Sequence, residues 1–249
     1  MHAHSPGLAK RKSALTLSRM VHFTLFGIPV YIRPSFWVVL AIFGGALSIS
    51  SVEDLIYPAL FVIAGFVAIL SHEMGHALVG RKLGGGQQTI VLELFGGLTS
   101  SHGMQLTRGG RALMILAGPM MTLLLGIISL GLTWNIVAPV MTSYNLNFWD
   151  LAISPFTAAL ISPKLYILSC LIMIGEWWTI LNLLPIYPLD GGQLIAQYIR
   201  SPRKVFMTGF ITAILIGLLS FQLFHGYFIP IFMALFAYSN YREYKNAPF

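Results

Sequence analysis

An all-α polytopic membrane protein, with about six transmembrane helices and small membrane-associated β-hairpins, is the fold class this sequence predicts. Three observations carry it. Hydrophobic residues make up 56% of the 249 and charged residues only 9%, against about 25% charged in soluble domains. The chain therefore has too few charges to cover a water-facing surface of its size. Apolar blocks recur at 36–51, 55–79, 112–137, 165–184, 205–224 and 228–241, and a span needs about 20 residues. Finally, the cations lie between the blocks on alternate sides. With the N-terminus inside and six crossings, Lys164 is the one residue of the fifteen Lys and Arg that falls outside, as the positive-inside rule requires.

Taken in chain order, residues 1–20 read as a flexible basic tail with Lys10, Arg11, Lys12 and Arg19. A cleaved signal peptide needs an apolar core directly after its charges, and the stretch 21–33 is mixed in polarity and holds Pro29. Residues 21–245 read as one membrane-embedded domain. Runs at 23–26 and 28–32 flank Gly27 and suggest an edge hairpin, with Pro29 limiting its ladder. The first and last apolar blocks are short and need their flanks to cross. Runs at 89–94 and 98–102 flank Gly96-Gly97, which reads as a Gly-Gly turn in a second hairpin. Non-helical backbone at membrane depth must pair with itself or with protein, so both hairpins are expected at the membrane surface or dipping against the helices. The acidic pair Glu53 and Asp54, and the polar stretch 141–163 with Asp150, fall on the outer side.

Composition also excludes. The net charge of +7 could signal nucleic acid, but the cations sit between apolar blocks rather than along one face, so no nucleic-acid partner is expected. Cys170 is the single cysteine, which rules out an internal disulfide. Its apolar surroundings read as packing. Trp37, Tyr57, Trp134, Trp149 and Tyr241, near span ends, read as interfacial belts. His22, His102 and His225 read as surface residues near membrane boundaries.

The second block holds His72-Glu73-Met74-Gly75-His76, an H-E-x-x-H sequence. On a helix, residues i and i+4 share a face, so both imidazoles can meet one Zn²⁺. Glu73 beside them can take a proton from zinc-bound water. Ionisable groups inside an apolar run are costly and point to function. The bland alternative is a packed helix whose histidines bond across the bundle. Catalytic zinc usually takes three protein ligands, and the candidates in apolar surroundings are Glu93, Glu176 and Asp190. Asp190 stands at a break made by Pro185, Pro188, Gly191 and Gly192. A broken membrane helix is tolerated where it lines a cavity, so its carboxylate is well placed to reach a metal. Glu93, in a strand-like run, reads as a structural or gating carboxylate. Glu176 has no evident partner in the sequence.

Paired with Asn182-x-x-Pro185-x-x-Pro188-Leu189-Asp190-Gly191, the H-E-x-x-H sequence resembles the site-2 protease family of intramembrane zinc metalloproteases. Ala117-Gly118-Pro119 and Gly27-Ile28-Pro29 resemble further family features, and the likeness covers about residues 20–245. The resemblance implies His72, His76 and Asp190 as Zn²⁺ ligands and Glu73 as general base. It sets Asn182 and Pro185 near the substrate cleft, and Gly96 and Gly97 in a sheet that receives an extended substrate by strand addition. The implied activity is hydrolysis of a peptide bond within or near a transmembrane segment of a single-pass membrane protein. The implied setting is membrane lipid, with both termini cytoplasmic in a prokaryotic cell membrane. Many relatives carry an inserted PDZ domain or a terminal CBS pair. The stretches 84–110 and 137–164 are too short for a PDZ domain, and about five residues follow Tyr244, so the resemblance is to a minimal core member. The competing class is a non-enzymatic zinc membrane protein, a transporter or inactive scaffold, which would not need Glu73. A prenyl-protein protease shares H-E-x-x-H but not the motif ending at Gly191.

Overall fold

The computed structural model describes residues 20–94, 96–103, 105–144, 149, 152, 154–225 and 227–248. The basic tail and Asp150 lie outside them. The elements follow as β1 (Val21–Leu25), β2 (Ile28–Ile32), α1 (Pro34–Phe43), α2 (Ile56–Gly84), β3 (Gln87–Glu93), β4 (Gly96–His102) and α3 (Arg108–Tyr144). After these come α4 (Pro155–Ala159), α5 (Pro163–Leu183), α6 (Asp190–Ala196), α7 (Pro202–Phe224) and α8 (Phe228–Asn246).

Local signals explain the helix starts. Proline stands in the first turn of α1, α4, α5 and α7, where its missing N–H costs nothing and its fixed φ suits a helix. Ser154 and Ser162 cap α4 and α5, their hydroxyls accepting from the Thr157 and Leu165 amides. Among the described residues four helices are long and apolar enough to cross a membrane: Glu53–Gly84, Arg108–Ala138, Pro163–Leu183 and Pro202–Leu223. The two end blocks differ from the expected six spans. The first forms a helix of 10 residues, about 15 Å long against a hydrocarbon core of about 30 Å. It stops at Gly44, and Gly45 follows with φ +87°. The last block forms α8, whose final turns carry Arg242, Glu243 and Lys245.

The central bundle is α2, α3 and α5, each packed on the other two. Contact between α2 and α3 is close enough that a Cβ on Gly75 would meet the Ala117 carbonyl. Small residues permit this approach of backbones, on which membrane helices depend. Helix α8 packs along α7. These two helices bury Ile186, Ala213, Met233 and Ala237 together.

The two hairpins are joined. All four strands form one sheet in the order β1-β2-β3-β4, with β2 and β3 parallel and the outer pairs antiparallel. Its buried face carries Ile28, Val30, Ile32, Ile90 and Leu92 and packs on Phe36, Leu40, Ile69, Leu70 and Met74 of α1 and α2. A lone hairpin is marginal in water; joined, the four strands share one apolar face. Proline tolerates its interior place because the parallel ladder runs Val30↔Ile90 to Ile32↔Leu92 and so begins after Pro29. The expected Gly96-Gly97 turn is corrected too. Both glycines belong to β4 and pair with Glu93 and Leu92.

Candidate metal centre

Three buried donors converge where α2 meets the break between α5 and α6. His72 and His76 share one face of α2, and Asp190 opens α6. Their exposures are 2%, 8% and 6%. Asp190 Oδ2 lies 3.0 Å from His72 Nε2 and 3.3 Å from His76 Nε2. One donor atom from each falls within 4.8 Å of the others. Of the other carboxylates weighed as third ligand, Glu93 lines the cavity that opens over the donors without joining their group, and Glu176 is elsewhere. Glu93 pairs with Arg33 at 3.0 Å near the surface, and Glu176 is exposed on α5.

Local contacts fit this group for a metal ion. The His76 Nδ1 lies 2.8 Å from the Met114 carbonyl. A carbonyl only accepts, so Nδ1 carries the hydrogen, and in the neutral ring that a metal ion needs Nε2 is the nitrogen left to face Asp190. This is the orientation that metal-binding histidines usually receive from a neighbour. Gly118 of α3 leaves space beside both rings, for a Cβ there would meet His76 Nε2 and Cε1 and His72 Nε2. Two imidazoles and one carboxylate are a zinc-type donor set with a position left open.

Glu73 is 5% exposed and sits under β4. The Thr99 hydroxyl donates to its Oε2 at 2.7 Å. A Cβ on Gly97 would fall on the Glu73 side chain, and one on Gly96 would meet the Trp178 ring. These close approaches explain the glycines better than a turn does, and Gly96 also has φ +123°.

A cavity of about 510 Å³ opens over the group. It is lined by His72, Glu73, His76 and Asp190, by Gly96, Gly97 and Thr99 from β4, and by Asn182 and Trp178 from α5. Phe232, Leu235, Phe236 and Ser239 of α8 close another side. Pro185 is not part of the lining. The break turns Tyr187, Pro188 and Leu189 to the cavity and buries Ile186 against α7 and α8. Thr99 and the α8 wall were missed in the sequence. Strand alternation places Thr99 on the same face as Gly97, so a polar residue two positions after that glycine was a usable signal. Nothing local marks the α8 wall.

The profile of peptidase family M50 matches residues 60–224. A zinc metalloprotease of Methanocaldococcus jannaschii is 29% identical over 227 residues, covering 87% of this chain and 57% of its own length. A provisionally named zinc metalloprotease of Synechocystis is 28% identical over 188 residues, covering 71% of this chain and 43% of its own. The chain thus spans about half the length of these curated relatives. The solved site-2 protease from Methanocaldococcus jannaschii shares the fold, with a TM-score of 0.58 at 24% identity over 90% of this chain and 95% of that one. Residues 60–224 include the whole donor group and more than half of the sequence, and this membrane protein belongs to peptidase family M50.

Proposed function

We propose that the chain is a zinc metalloprotease that hydrolyses a peptide bond within or near a transmembrane segment of a membrane-anchored protein. The observation that carries the reading is Glu73, a buried carboxylate next to His72 and beneath Gly97 and Thr99 of β4, facing the same cavity as the three donors. A structural metal site has no use for that fourth group.

In this reading His72, His76 and Asp190 would hold zinc. Bound there, zinc supplies the Lewis acidity that makes water a nucleophile at neutral pH. Glu73 takes the proton from the attacking water and returns it to the leaving amine. Thr99 keeps the Glu73 carboxylate fixed during both transfers. Asn182 gives one amide N–H to the Trp178 carbonyl, and its second is the donor for charge developing on the scissile carbonyl. The substrate segment must be extended before its peptide bond can be attacked. Pairing along β4, the last strand of the sheet, satisfies the extended backbone by strand addition.

The partner is a single-pass protein, and the domain is one membrane-embedded unit in a prokaryotic cell membrane. Both termini lie in the cytoplasm. The cations at Arg81, Lys82, Arg108 and Arg111 put the His76 end of α2 toward the cytoplasmic side, so water enters from there. The test is cleavage of a model transmembrane substrate in reconstituted vesicles. Wild-type protein should cut and lose activity to a zinc chelator. Glu73→Gln should retain zinc and lose about 10²- to 10⁴-fold in rate. A Gln variant with the wild-type rate sinks the general-base role.

A further inference from the structure

We propose that Asn240, on the last helix, is a positioning residue for the metal centre: its side-chain amide holds the Tyr187 carbonyl and so fixes where Asp190 stands. The proposal deepens the function above and rests on Asp190 being a zinc ligand.

Asn240 is 1% exposed. Its Nδ2 donates to the Tyr187 carbonyl at 2.6 Å and to the Phe236 carbonyl one turn back at 2.9 Å. Its Oδ1 is buried with no hydrogen-bond partner among the described residues. An unsatisfied buried oxygen is a cost that a leucine would not bear. Packing alone therefore does not explain an asparagine here. The facing helix is shaped to it as well, because a Cβ on Gly209 of α7 would fall on Asn240 Oδ1 and Cγ.

The held carbonyl lies three residues before Asp190. Other carbonyls of the break are satisfied locally. Leu184 accepts from the Ile186 amide and Ile186 from that of Leu189. Leu189 accepts from the Gln193 amide, and Pro188 from the Gln193 side chain. The Tyr187 carbonyl is instead held from another helix. Contacts within the break then carry its position forward. Gly192 lies so close that a Cβ would meet the Ile186–Tyr187 backbone, and one on Gly191 would meet the Leu183 and Leu184 carbonyls. The break and the first turn of α6 thus move as one body, and Asp190 opens that turn. A displaced Tyr187 peptide displaces a carboxylate that must stay within reach of both histidines.

Zinc affinity of the full chain in detergent, measured by competition with a chromophoric chelator, tests this without any activity assay. Asn240→Leu fills the same space and gives no hydrogen bond. It should weaken zinc by about 10- to 100-fold, the usual cost of losing an outer partner of a ligand. The visible bands of bound Co²⁺ should change, and the metal-free protein should melt where wild type does. Asp190→Ala should weaken zinc by itself, and Asn240→Leu added to it should cost nothing more, since its effect passes through Asp190. Gly209→Ala, which crowds the amide from the opposite helix, should also weaken zinc, and it decides the matter if Asn240→Leu does not fold. Wild-type affinity in both Asn240→Leu and Gly209→Ala overturns the proposal. An undiminished loss in the Asp190→Ala background does so too. Wild-type affinity in Asp190→Ala overturns the three-ligand reading itself, and this proposal with it.

Discussion

Gly118→Ala should empty the metal centre while the bundle stays folded. The new methyl would stand 2.8 Å from His72 Nε2 and closer still to His76 Nε2 and Cε1. Ordinary non-bonded separation is about 3.5 Å, so His72 must retreat by about 0.7 Å and His76 by about 1.2 Å. Zinc–nitrogen bonds run at about 2.0–2.1 Å with a tolerance of about 0.2 Å. The smaller of these shifts is already roughly three times that tolerance. Overpacking of this kind costs about 1–3 kcal/mol. Taken from metal binding, that is a loss of about 5- to 150-fold in affinity. Gly126→Ala on the same helix is the control, for its Cβ meets nothing within 4 Å and alanine favours the helix by about 1 kcal/mol. The assay is zinc content after dialysis, with helicity by circular dichroism to show folding. A Gly118→Ala protein that holds zinc as tightly as wild type would mean that the histidines do not converge on that space.

Two further substitutions separate roles around the cavity. Thr99→Val removes the hydroxyl that meets Glu73 Oε2 and should lower kcat with zinc content and KM little changed; Thr99→Ser should restore most of the rate. An unaltered kcat in Thr99→Val would show that Glu73 needs no such restraint. Glu93→Gln breaks only the exposed pair with Arg33, worth about 0.2–1 kcal/mol, and should leave zinc content unchanged. Loss of zinc in that variant would return Glu93 to the ligand set.

What the sequence made legible was local. Residues four apart on a helix must share a face, so His72 and His76 could be paired before any coordinates. Proline and glycine between Asn182 and Gly192 broke the helix as expected. What it hid was long-range or depended on approach distance. The parallel pairing of β2 with β3 joins strands separated by α1 and α2, and no pattern within either strand announces it. Gly96 and Gly97 read as a turn because two adjacent glycines so often make one. Here they let Trp178 and Glu73 come against a strand, a requirement set by residues about 20 to 80 positions away. Apolar length overstated the first block, where Gly44 and Gly45 stop α1 after 10 residues. Nothing in the sequence marks Asn240, and only its contact with Tyr187 gives it meaning.

The electrostatics of the three donors supply the last step. With Nδ1 committed to Met114, a neutral His76 faces the Asp190 carboxylate with an acceptor, at 3.3 Å. The same carboxylate oxygen stands 3.0 Å from His72 Nε2. Two acceptors facing each other in surroundings of low dielectric repel, and burial strengthens that repulsion. Without a cation each contact needs its own proton, because a proton lies on one line between one nitrogen and one oxygen. A divalent cation among all three converts every contact to attraction at once. The site is thus costly as a packed core and coherent as a cation site. Glu73 adds to the same logic, since a carboxylate beside that cation and restrained by Thr99 can exchange protons with water in the cavity, whereas a purely structural centre would only bear the expense of burying it.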